Sequence, residues 1–410
     1  MTDVRNRINH TVNALPNLPP KAPRLQRIAQ RMRGIAPFEV MEIQTAARAL
    51  ERQGHDVIHM EIGEPDFATP APIVEAAIAA MKSERMFYTS ALGLMPLREA
   101  IAAWYGTRFG VKVDPSRVVV TAGSSAALLL VLGVLLDSGD EVLMADPGYP
   151  CNRHFVRALD GVPVSIPCGA AERYQLTTSA LVTRWRSRTR AALVATPSNP
   201  TGTVISREEL THLNDAVRVR AGAMIVDEIY QGLTYGQEPT TAAALGEDVF
   251  VINSFSKYFQ MTGWRLGWAL VPPAYARAVE TLAQNLFISP STPAQYAAIA
   301  AFHPDTIAIV EERRRELKKR RDFLIPALES VGFRVPVIPE GAFYVYADCT
   351  ALDTDSYALA TRILQQCHVA VTPGKDFGLA APDKHIRIAY TQPVERLEEA
   401  VHRIQTQLHR

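Results

Sequence analysis

Four short apolar runs, each breaking off into a loop of Gly, Pro, Ser or acidic residues, constrain this chain more than any other feature. They are Val118-Val119-Val120 before Thr121-Ala-Gly123-Ser124-Ser125, and Glu141-Val-Leu-Met144 before Asp146-Pro-Gly-Tyr149-Pro150. The other two are Ala191-Ala-Leu-Val-Ala195 before Thr196-Pro-Ser-Asn199-Pro-Thr-Gly202, and Ala223-Met-Ile-Val226 before Asp227-Glu228-Ile-Tyr230. Runs so short, with no polar alternation, suit strands covered on both faces. Helical spacing supplies the cover at Phe38 to Arg52, Ile73 to Met81, Pro96 to Phe109, Tyr275 to Leu286 and Ala294 towards Leu328, with a helix starting at Ala126. The predicted class is therefore α/β. In an open sheet of this kind ligands bind beyond the carboxyl ends of the strands, which directs attention to the loops.

The most chemical stretch is Asn253-Ser254-Phe255-Ser256-Lys257-Tyr258-Phe259, followed by Arg265-Leu-Gly-Trp268. A lysine between Phe255 and Tyr258-Phe259 would be desolvated, its pKa would fall, and the neutral amine could attack a carbonyl to form a Schiff base. Ser254, Ser256 and Arg265 bind phosphate well, and the guanidinium can fork onto two oxygens. The pair of functions suits pyridoxal 5'-phosphate, although a lysine after a serine is by itself an ordinary solvated loop residue. Gly123, Ser124 and Ser125 lie where a helix begins. They read equally as an N-cap or as an anion cup, and one residue set can do both.

These motifs, with Gly63-Glu64-Pro65-Asp66-Phe67 upstream, resemble those of the fold type I, class I/II pyridoxal-phosphate aminotransferases, in the family's order from about Ile35 to Thr391. The resemblance implies a large domain with a mostly parallel seven-stranded sheet between helices, plus a smaller α/β domain. It makes Lys257 the cofactor lysine and Asp227 the partner of the pyridine nitrogen. Tyr149 stacks on the ring, while Tyr230 and Asn199 bond its phenolic oxygen. Tyr88 reaches across a dimer interface to the neighbouring cofactor phosphate. Gly63, Asn199 and Arg387, the last in His385-Ile-Arg-Ile, meet the substrate carboxylate. In the aspartate-using bacterial branch the phosphate turn carries a lysine for the distal carboxylate. Here the matching residue is Ser125, so neutral amino acids are expected to be preferred, unless Arg153 substitutes for that lysine.

The balance of 43 basic against 42 acidic residues, a net charge of +1, leaves no footprint for nucleic acid or a membrane surface. The apolar run Ala126 to Leu136 is far short of the roughly 20 residues a spanning helix needs. The four cysteines lack metal-ligand spacing, which predicts no metal site and a reducing, cytoplasmic setting. Residues 1–32 read as an N-terminal arm, expected to be mobile. Residues 33–62 read as the first part of the small domain, 63–300 as the large cofactor-binding domain and 301–410 as the small C-terminal domain. The expected activity is ping-pong transfer of an amino group from an L-amino acid to a 2-oxo acid by a homodimer. The same scaffold also serves C–S lyases, decarboxylases and non-catalytic ligand sensors.

Overall fold

In the computed structural model the described residues are 28–83, 86–236 and 240–408; most of the expected N-terminal arm lies outside them. The chain begins with α1 (Glu39–Arg52), β1 (Ile58–His59), α2 (Ala71–Lys82) and α3 (Met95–Phe109). It continues through β2 (Val118–Thr121), α4 (Gly123–Leu135), β3 (Glu141–Asp146), α5 (Pro150–Ala158), β4 (Val162–Pro167) and α6 (Thr178–Arg184). Next come β5 (Thr189–Ala195), α7 (Arg207–Arg218), β6 (Ala223–Asp227), β7 (Phe250–Ser254) and β8 (Gly267–Leu270). Helices α8 (Ala276–Leu286), α9 (Thr292–Ile299) and α10 (Pro304–Ser330) follow. The last part holds β9 (Tyr344–Asp348), α11 (Ser356–Arg362), β10 (Val369–Ala370), β11 (Thr372–Pro373), β12 (His385–Ala389) and α12 (Val394–Gln407).

The main sheet has seven strands in the order β2-β8-β7-β6-β5-β3-β4, and only β8 runs antiparallel to its neighbours. Strands β6 and β7 are buried along their whole length, as the unbroken apolar runs require when helices cover both faces. Registers align the strand ends. Ala195 pairs with Asp227, and Ser254 and Thr121 both pair with Gly267. The loops after β5 and β6 therefore emerge side by side, as do the turn after β2 and the segment that carries Lys257. A second sheet, β11-β12-β9, carries Arg387 at the centre of β12, and β1 pairs with β10.

Several boundaries differ from the expected ones. The helix expected from Ala126 begins at Gly123, so Ser124 and Ser125 lie in its first turn, and the N-cap is Ala122 with no side-chain bond. The long helix expected from Ala294 is broken between Ile299 and Pro304. Proline forces the preceding His303 into an extended conformation and then starts α10, where its missing N–H costs nothing. The strand expected over Val369 to Val371 stops at Ala370 as β10, and β11 starts only at Thr372, in a different sheet. Edge strand β4 gave no signal because it carries Pro163 and Pro167, residues that weigh against a strand.

Candidate active site

The carboxyl ends of β3, β5, β6 and β7 open onto a cavity of about 480 Å³. Lys257 lines it from the turn after β7, half-buried, with Nζ donating to the Gly63 carbonyl. Burial lowers its pKa to about 8; the Glu64 carboxylate opposes that shift, and Arg387 and Arg265 add to it. The aromatic residues beside it in sequence are not its shell. Phe255 packs on Trp268 at 4.9 Å, Phe259 on Trp104 at 5.8 Å, and both belong to the core. The rings near the amine are Tyr230 and Phe343, each 5.9 Å from Nζ. The local sequence therefore anchors the lysine, and distant residues desolvate it.

At one end of the cavity Arg265, itself at φ 51°, approaches the backbone of Gly123. A Cβ on Gly123 would come within 2.7 Å of Arg265 Nη2, and the glycine's φ of 80° disfavours any side chain. Ser124, Ser125 and Ser256 line this end. Ser254 does not. Its hydroxyl accepts the Ser256 N–H at 3.0 Å and lies 3.1 Å from the Leu266 carbonyl, so it braces the turn from behind. Unpaired N–H groups of the first turn of α4, three hydroxyls and a guanidinium thus converge on one spot.

Midway along, Asp227 closes β6 with its carboxylate buried and bonded to the Ile229 N–H at 3.1 Å. Burial raises its pKa to about 7, because that one backbone bond does not offset the desolvation. Tyr149 lines the cavity from the loop after β3. The Tyr230 hydroxyl pairs with that of Tyr344 at 2.7 Å, and burial raises the Tyr230 pKa.

At the other end Arg387 is 5% exposed. It donates to Asn199 Oδ1 at 2.9 Å, to the Glu61 carbonyl and to Thr372 Oγ1 at 3.2 Å, and its guanidinium lies 4.4 Å over the Tyr344 ring and 4.9 Å over Phe377. Among the described residues all its hydrogen-bond partners are neutral oxygens, and the buried Nε has none. A buried cation so arranged is without an anion among them. Gly63 faces the same region, and a Cβ there would collide with the Tyr344 hydroxyl. Tyr88 is 81% exposed and lies outside the cavity of its own chain.

Some lining residues escaped the sequence reading. Phe38, Val40 and Met41 at the start of α1, and Tyr344, Asp376 and Phe377, wall the cavity. Asp376 accepts the backbone N–H groups of Glu39 and Val40 at 2.7 and 2.8 Å, which fixes the start of α1 beside the opening. The periodicity of α1 was visible in sequence, but nothing local says that its first turn faces a cavity whose other walls come from many separate segments.

An amine of lowered pKa, a buried acid with no counter-ion among the described residues and an anion cup, at the carboxyl ends of an open α/β sheet, are the features of a pyridoxal-phosphate enzyme. The fit is chemical: the unpaired Asp227 suits a protonated ring nitrogen, and the Arg265 cluster suits a phosphate. Residues 55–404 match the family described as "Aminotransferase class I and II". The valine–pyruvate aminotransferase of Mycobacterium tuberculosis is 41% identical over 92% of this chain and 97% of its own length. The aspartate aminotransferase of Geobacillus stearothermophilus is 34% identical over 92% and 98%. A crystal structure of an aminotransferase from M. tuberculosis superposes with a TM-score of 0.90 at 40% identity, covering 93% of this chain and 98% of that one. The chain belongs to the class I and II aminotransferases, which are pyridoxal-phosphate-dependent enzymes that transfer amino groups.

Proposed function

We propose that this aminotransferase moves the amino group of a neutral, apolar L-amino acid to a 2-oxo acid such as pyruvate or 2-oxoglutarate, in a cytoplasmic homodimer. The observation that carries the substrate class is the count of cations on the cavity wall. Among the described residues these are Lys257, Arg265 and Arg387, and in this reading each is committed, to the amine chemistry, the phosphate and the α-carboxylate. Arg153, the one substitute considered for a distal carboxylate, is absent from the lining and donates to the Asp376 carbonyl at 2.6 Å. Ser125 offers only a hydroxyl. Phe38, Val40, Met41, Ile62 and Ile229 give the wall an apolar stretch, and the Glu64 and Asp376 carboxylates would repel a second negative charge. The name of the valine–pyruvate relative supports the same class.

In this mechanism Arg387 and the Gly63 backbone orient the substrate by its α-carboxylate, which supplies the anion that the guanidinium lacks. Asn199, whose Oδ1 is already occupied by Arg387, keeps its amide N–H groups for the cofactor's phenolic oxygen. Asp227 keeps the ring nitrogen protonated. Ser124, Ser125, Ser256 and Arg265 bind the phosphate, with Gly123 allowing the close approach and Ser254 bracing Ser256. Tyr149 holds the ring plane, and Tyr230 donates near the phenolic oxygen. When bound, pyridoxal phosphate supplies an electrophilic aldehyde carbon and a ring that accepts electrons. Lys257 then takes the proton from the substrate Cα, and its lowered pKa leaves a larger fraction of free amine near neutral pH than an ordinary lysine would have.

The test is kcat/KM for alanine, valine, leucine, phenylalanine and aspartate with pyruvate as acceptor. Neutral substrates should lead aspartate by at least about tenfold. A preference for aspartate above about a hundredfold, which takes a dedicated polar contact, would overturn the substrate reading.

A further inference from the structure

The Gly63 loop and the strand bearing Arg387 come from distant parts of the chain; before Gly63 they meet where the Ala389 N–H donates to the Met60 carbonyl at 2.8 Å and Arg387 to the Glu61 carbonyl, and after it a buried arginine ties the loop to the segment that follows the strand. Arg320, in the middle of α10, is 3% exposed. Its Nη1 donates to Asp66 Oδ1 at 2.8 Å and to the Thr391 carbonyl at 2.7 Å, and its Nε to Glu316 Oε1 at 3.1 Å. The guanidinium lies 4.9 Å over the ring of Phe67. Asp66 and Phe67 follow Gly63 in the same loop, and Thr391 lies just past the end of β12. A helical turn or two away, Arg313 donates to the Ala68 carbonyl and to Gln260, and its guanidinium lies 5.3 Å from the centroid of the same Phe67 ring. The loop is thereby clamped to α10 at two points, and of these two arginines Arg320 also bonds Thr391, just past the strand.

We propose that Arg320 is a positioning residue for substrate binding: it fixes the Gly63 backbone relative to Arg387, and so sets the grip on the α-carboxylate. This rests on the reading of Arg387 given above. Neither lysine nor methionine can reproduce the arrangement. Lysine keeps the charge, but as a point donor it cannot bond Asp66, Thr391 and Glu316 while lying flat on Phe67.

The experiment uses holoenzyme carrying Arg320→Lys, Arg320→Met, Arg387→Lys and the double variant Arg320→Lys/Arg387→Lys. Two partial substrates are bound and followed by calorimetry: 4-methylvalerate, which has the carboxylate and no amine, and 3-methylbutylamine, which has the amine that reacts with the cofactor and no carboxylate. Arg320→Lys should weaken 4-methylvalerate about tenfold and leave 3-methylbutylamine within about twofold, a loss that reflects misplacement of the carboxylate site. In the Arg387→Lys background the same change should add less than about twofold, because both act through one contact. Arg320→Met, which leaves Asp66 and Glu316 unpaired, should lose more; if it does not fold, Arg320→Lys decides the matter. Equal weakening of both probes, or additive losses in the double variant, would overturn the proposal while leaving the Arg387 reading intact. An Arg387→Lys enzyme that binds 4-methylvalerate as well as wild type would overturn the carboxylate reading itself, and this inference with it.

Discussion

Lys257 has its pKa lowered to about 8, chiefly by burial. For a base whose folded pKa lies below its unfolded value near 10.5, the unfolded chain binds more protons between those limits. In the cofactor-free protein this lysine therefore costs stability below about pH 8, and the cost fades as pH rises towards 10.5. The benefit is nucleophilicity near neutrality. Lys257→Ala removes both nucleophile and base, and steady-state assay should find turnover down by about 10⁴-fold or more. Borohydride reduction of wild type should attach the cofactor to Lys257, as read by peptide mass spectrometry; a label on any other lysine would refute the assignment. At the residue scale, sequence reasoning expected a desolvated lysine for an incomplete reason. It found the lysine through neighbouring aromatics, yet those rings are core anchors, and Tyr230 and Phe343 flank the amine. Only tertiary structure could show that exchange.

At the scale of elements, His59 of β1 and Glu61 just past it form a partly buried ion pair, and the Glu61 carbonyl accepts from Arg387. His59 Nδ1 bonds Glu61 Oε1 at 2.8 Å, and its Nε2 reaches Glu51 of α1 at 3.1 Å. The buried Glu61, whose carbonyl accepts from Arg387, raises the histidine pKa to about 9. A folded pKa above the unfolded 6.5 means that the stabilisation is complete below pH 6.5 and is lost as pH rises through about 9. The difference amounts to about 3 kcal/mol at most. Urea midpoints of wild type and His59→Gln should differ most near pH 6 and converge by about pH 10. A gap that stays constant with pH would mean that the pair adds no charge-dependent stability. The same elements explain what was legible. Strands β3, β5 and β6 stood out because burial on both faces leaves an unbroken apolar run, and Tyr149 and Asn199 in the loops after the first two, with Asp227 at the end of the third, stood at their carboxyl ends. Strand β7 was absorbed into the lysine segment, and β4 was disguised by its prolines. The walls given by α1, Tyr344 and Phe377 depend on how separate elements meet, and no local pattern encodes that.

For the whole molecule the informative residue is Tyr88, named as a cofactor ligand but 81% exposed and outside its own chain's cavity. Phe87 beside it is 77% exposed, and Ile288, shortly before α9, is 57% exposed. Thr292 Oγ1 donates to the Phe87 carbonyl at 2.8 Å, so the loop is tied to the helix rather than left free. Apolar residues held outward in this way suit an interface between two copies, and a C2 pair would bring each Tyr88 to the other copy's phosphate cup. Sedimentation at micromolar concentration should then give twice 45.1 kDa. Complementation tests the exchange more directly. Lys257→Ala lacks the base but retains Tyr88, whereas Tyr88→Ala retains the base and lacks the phosphate contact, which should weaken cofactor binding about tenfold or more. When the two are co-expressed, random pairing makes half the dimers mixed, and each mixed dimer has one site with both residues intact. At limiting cofactor, activity should return to about a quarter of wild type, well above either parent alone. If mixing gives only the average of the parents, Tyr88 serves its own chain or none, and the interface reading fails.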